Sequence, residues 1–234
     1  MRKVFYVLLI MSGFVPVFGF VSSHDTTLLI YSLFIVALLN RQFLAGAFAR
    51  VRLPSPVKFC GAIILSGWLT ECLAWLGSYL KHVKNPALLH PQLIPDLILA
   101  VGFYGGWAVV WLLVLRRWRF TLGQVFILTG LLGIFVEQNG AVIVEIIASL
   151  ANPLIAAILV LYVFTVYGSI MGLPYLCAEN ILPCAEKRAG WIQYLIVPCG
   201  MFLGETILFL IVWVIASALH LIPPPQPIWE HPFF

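Results

Sequence analysis

The reading of this chain turns on residues 130–153, GLLGIFVEQNGAVIVEIIASLANP. Apolar sequence of the kind lipid accepts runs up to Val136, is broken by Glu137, Gln138 and Asn139, resumes, and is broken again by Glu145. Either these polar groups lie inside a membrane helix, or a helix leaves the membrane there. A helix rises ~1.5 Å per residue and the hydrocarbon core is ~30 Å thick. Glu137 lies eighteen residues beyond the basic anchor Arg119. A straight helix would therefore carry it ~27 Å, nearly across the core. A full span also runs back from Asn152-Pro153 to Tyr175, so residues 140–151 are surplus to both crossings. The expectation is a hinge at Gly140 leading into a short interfacial or re-entrant helix on the outer side. Gln138, Glu145, Ser149 and Asn152 fall on one helical stripe, at steps of seven, four and three. That stripe either wets a surface helix, the favoured reading, or faces a cavity as a lid.

Composition supports a membrane setting. Charged residues are 9% of the chain and hydrophobic ones 62%. A soluble domain carries about 25% charged residues, so this chain has too little polar surface to coat a water-soluble globule. Apolar stretches of about 20 residues suit a crossing. Candidates are 4–21, 26–48, 58–80, 95–115, 120–138, 153–176 and 192–219. The expected fold is all-α: one polytopic transmembrane domain over 1–234, with about seven transmembrane helices and a Pro-rich extended tail at 223–234. Arg2 and Lys3 before the first apolar run also fit a signal peptide, and its cleavage would leave six helices. The run is longer than a usual signal core and lacks a clean small-x-small site, so a retained helix is favoured.

Basic residues set the orientation. With the N-terminus inside, the inner segments hold Arg2, Lys3, Arg41, Arg50, Arg52, Lys58, Arg116, Arg117, Arg119, Lys187 and Arg188. The outer segments hold only Lys81 and Lys84. That asymmetry predicts a cytoplasmic N-terminus and an outside C-terminus in a plasma membrane. The net charge of +4 is scattered over segment ends, which argues against a nucleic-acid partner.

The same ruler finds the deep polar residues. Glu71 lies thirteen residues beyond Lys58 and ten before Lys81; Glu205 lies seventeen after Arg188 and fifteen before His220. Both are near mid-depth, where a charged side chain costs about 2.5–3.5 kcal/mol on insertion scales. They are expected to face the bundle interior, to carry a proton, or both. Asp96, just after Pro95, reads first as a helix-start residue. Tyr104 and Trp107 lie deeper on that segment as packing or cavity-flanking aromatics. The substrate-binding or proton-coupling candidates are thus Glu71, Glu205, Glu137, Gln138, Asp96, Tyr104 and Trp107, with Glu145, Ser149 and Asn152 as a possible lid stripe. They agree in depth alone; the sequence does not bring them together laterally.

Two weaker patterns remain. GxxxG occurs at Gly102/Gly106, Gly168/Gly172 and Gly200/Gly204, marking faces where helices can approach closely. WLTECLAWL (68–76) matches FLGETILFL (202–210), which would suit parallel repeats about a linking helix. Short apolar windows match easily, and chance is the favoured explanation.

The chemistry of soluble enzymes is missing from the motifs. No deep histidine cluster, GxSxG, HExxH, Walker loop or dinucleotide fingerprint is present, and no metal or cofactor is expected. The five cysteines form no CxxC and read as small apolar residues. The favoured function is a small carrier or permease handling a cationic or proton-coupled solute through mid-membrane carboxylates. The alternatives are a membrane-embedded enzyme using a buried Glu as general acid or base on a lipid or isoprenoid, and a non-catalytic assembly subunit or receptor. Expected partners are membrane lipids, a small-molecule or lipid ligand, and a second copy or partner subunit.

Overall fold

The computed structural model describes residues 2–182, 185 and 187–234. The side chain of Gln138, and Cys184, lie outside the described residues. The architecture is helical: α1 (Arg2–Ser23), α2 (Leu29–Leu39), α3 (Arg41–Ala49), α4 (Ser55–Leu80), α5 (Leu93–Leu115), α6 (Leu122–Val136), α7 (Ala141–Ala148), α8 (Pro153–Ala178) and α9 (Trp191–Ala218). The one strand pairing among the described residues joins two-residue strands, β1 (Trp118–Arg119) and β2 (Lys187–Arg188), in parallel. Five helices are long and apolar enough to cross a membrane, or up to seven if the bent pairs α2–α3 and α6–α7 each make one crossing.

Local chemistry explains several helix ends. Backbone polar groups need partners in lipid, so caps matter. At α6, Thr121 and Gln124 form a reciprocal capping box, at 3.3 Å and 2.8 Å. Asn152 caps α8 by accepting the Ile155 N–H at 3.5 Å, with Pro153 in the first turn. Gly140 adopts φ +84°, a conformation open to glycine at little cost, and there the chain turns. Between α6 and α7 a 3-10 turn (Glu137–Gly140) makes the break, and the axes differ by 86°. A second 3-10 turn, Ser149–Ala151, leads into α8.

One apolar segment differs from its expected extent. Residues 26–48 do not form one helix: the chain breaks at Asn40, and α2 and α3 meet at 85°. The Asn40 side-chain amide donates to the Val36 carbonyl at 2.8 Å, terminating α2 from within. Lys58 then reaches back to the Ala49 and Phe48 carbonyls at 3.2 Å and 3.5 Å, placing a cation at the negative end of α3. Arg41 is exposed.

The core is assembled around α5. Gly102 meets the Leu208 carbonyl and the Phe209 backbone of α9, and Gly106 meets Gly204 and Glu205, so two GxxxG faces cross backbone to backbone. On the other side, the Gly67 position of α4 receives the Tyr104 ring, and Trp68 Nε1 donates to the Leu97 carbonyl at 2.8 Å. α8 packs against α6, where Gly130 and Gly133 accept Phe164 and Tyr167, and against α4, where Ser66 Oγ donates to the Ile170 carbonyl at 2.8 Å. The α1–α2 turn is recessed against the last two turns of α4: Thr26 donates to the Leu73 carbonyl and lies against Gly77.

The tail at 223–234 forms no helix or strand but is well held. The Leu93 and Ile94 amides, orphans of the first turn of α5, donate to the Pro232 and Phe233 carbonyls at 3.0 Å and 3.1 Å. Gln92 Nε2 donates to the Gln226 carbonyl at 2.8 Å, Ile228 is fully buried, and Phe233 stacks on Trp75 at 5.7 Å. Pro232 and Phe233 therefore cap the first turn of α5.

Candidate functional site

A cavity of about 540 Å³ lies among α4, α5, α6 and α8. Its walls carry Glu71 from α4, Phe103 and Tyr104 from α5, Glu137 from the end of α6, and Tyr162 and Tyr167 from α8. Thr27 of the recessed turn and the loop segment 85–89 complete it. Each polar wall group is placed by a packing feature. The small Gly67 lets Tyr104 turn across the α4–α5 contact, and its hydroxyl donates to Glu71 Oε1 at 2.7 Å. Gly133 likewise makes room for Tyr167, which presents its hydroxyl to the Glu137 carboxyl. The break after Val136 swings Glu137 into the wall instead of continuing α6 past it.

Tyr162 donates to Asp25 Oδ1 at 3.1 Å, and the same oxygen accepts the Thr27 amide at 3.1 Å. That local bond makes an Asx turn of the α1–α2 link. Two carboxyl groups thus face a shared space walled by three tyrosines and a phenylalanine. No lysine or arginine is among the residues lining it. Carboxylates in such a space favour a cation, and the aromatic faces add cation–π attraction.

Glu205 belongs to a separate arrangement behind α5. It is 4% exposed and accepts a hydrogen bond from Trp107 Nε1. Trp107 is fully buried, with its ring 5.6 Å from that of Tyr104 and 5.8 Å from that of Tyr167. Glu71 and Glu205, the two deep carboxyls of the matching windows, therefore both take a hydrogen bond from α5, from aromatic residues three positions apart. They do not share a cavity. Glu205 is absent from the lining that holds Glu71.

No protein-family model matches the chain, and no curated protein or solved structure matches it.

The remaining candidates are not among the residues lining that cavity, although Asp96 lies within electrostatic range of Glu71. Asp96 is fully buried, but it does not cap its own helix: Oδ1 accepts the His90 amide at 2.9 Å, tying down the loop before α5, and Oδ2 has no partner among the described residues. Glu145 and Ser149 border a groove between α7 and α8, while Asn152 is engaged as a helix cap. Among the described residues, no group of three or more His, Cys, Asp or Glu could hold a metal ion. Sequence reasoning missed Asp25, Thr27, Tyr162 and Tyr167. The Asp-Thr-Thr run after the first apolar segment was a turn signal, but tyrosines in apolar helices carry no mark that separates cavity walls from packing.

Proposed function

We propose that this protein is a small carrier that binds a cation between Glu71 and Glu137 and exchanges it against protons. The observation that carries the reading is the cavity itself: two carboxyls and three tyrosines around one space, lined by no basic side chain, within helices apolar enough to lie in lipid. Two carboxylates buried together are costly unless a cation or a proton neutralises them. That alternation, cation in and protons out, is the elementary step of proton-coupled exchange.

In this proposal the bent pair α2–α3 completes one crossing and α6 makes another, with α7 folded outside it, giving seven. The N-terminus and the clusters around Arg50, Arg117 and Arg188 face the cytoplasm, and α7 and the tail lie at the outer face of the plasma membrane. The support is the uneven sharing of basic residues between alternate links.

Reconstituted vesicles test it. Uptake of tetramethylammonium driven by a proton gradient is expected in vesicles holding the native chain. It should fall at least about tenfold in Glu71→Gln and in Glu137→Gln, since each change removes a carboxylate that contacts the cation. Undiminished uptake in both variants, with both proteins still in the membrane, would defeat the proposal.

A further inference from the structure

We infer that the ligand is a single-chain amphiphile with a cationic head, reaching the cavity sideways from the lipid through the groove between α7 and α8. This deepens the carrier reading and rests on it. The groove holds about 570 Å³ and is bordered mainly by apolar side chains, with Glu145 and Ser149 at its edge. It opens on the outside of the bundle, where Ile155 and Ile158 are 52% and 58% exposed. An aliphatic chain suits these walls, and Glu145 puts negative charge where a cationic head would first arrive.

Groove and cavity meet at one side chain. Tyr162 lines both. Its ring is the partition, and its hydroxyl is latched to Asp25 of the recessed turn. Releasing that latch, in which the Thr27 side chain also takes part, frees the ring to rotate and joins an apolar channel to an acidic, aromatic chamber. A small hydrophilic cation would use the chamber and leave the groove idle. A cation with an alkyl tail fills both, its head between Glu71 and Glu137 and its tail along α8. The sharp turn at Gly140 serves this geometry, because it folds α7 aside and leaves the flank of α8 uncovered.

The test is titration of the full chain in nanodiscs, corrected with empty nanodiscs, using tetramethylammonium, decyltrimethylammonium and decyl sulfate. Saturable binding of the decyl cation is expected, about tenfold or more tighter than tetramethylammonium, with none for decyl sulfate. Ile158→Trp fills the groove from a lipid-facing position and should erase the gain from the tail. Equal affinity for the two cations, or a gain that survives Ile158→Trp, overturns the inference and leaves the carrier reading standing. Saturable binding of decyl sulfate overturns its cationic head. Binding of neither cation defeats both.

Discussion

Trp107 reaches Glu205 because neither helix places a side chain between them: Gly106 on α5 meets Gly204 on α9. The indole N–H is then the partner of a carboxyl almost wholly removed from the surface. Trp107→Phe keeps the ring and deletes the donor, leaving a buried acceptor unpaired, and should cost about 1–3 kcal/mol. Glu205→Gln keeps a carbonyl for the indole and should be close to neutral. Thermal unfolding of both variants in one detergent measures this; a Trp107→Phe protein as stable as the native chain would show the bond to be idle. Position along the helix was legible for Glu71 and Glu205, because it needs only the rise per residue. Their lateral separation was not. Helices apolar on every face show no stripe that says which neighbour each side chain meets.

Breaks between elements were legible where a residue with special backbone chemistry causes them. Gly140 marks the turn into α7, and the Asn152-Pro153 pair starts α8, both at the places the ruler required. The break at Asn40 was marked only by the polar run Asn40-Arg41-Gln42; neither glycine nor proline stands there, and apolar residues resume at Phe43. Gly140→Ala places a Cβ on a residue at φ +84° and should cost about 1–2 kcal/mol while loosening the α6–α7 angle. A matching fall in the unfolding midpoint checks it, and no change would mean that the turn tolerates a side chain. Gly106→Val is the harsher case. Its side chain would enter the backbone of α9, and a loss of about 3 kcal/mol or failure to accumulate in the membrane is expected.

Across the whole molecule, residues far apart in sequence finish each other's structure. Amides at the start of α5 are satisfied by carbonyls of Pro232 and Phe233. Removing residues 223–234 should leave those amides bare and speed hydrogen exchange at Leu93 and Ile94 most of all; unchanged exchange there would refute the cap. The crossing of α5 with α9 has a consequence in time. Gly106 leaves the ribosome roughly a hundred residues before Gly204, which is roughly 5–20 s at ~5–20 residues per second. Throughout that interval the glycine face of α5 lacks its α9 partner, and the Trp107 indole lacks the Glu205 carboxyl. The newborn chain must wait in the bilayer with its central helix unfinished. Substitutions that delay the last helix should therefore register in cells as proteolysis of new chains, well before any effect on the finished protein could be measured.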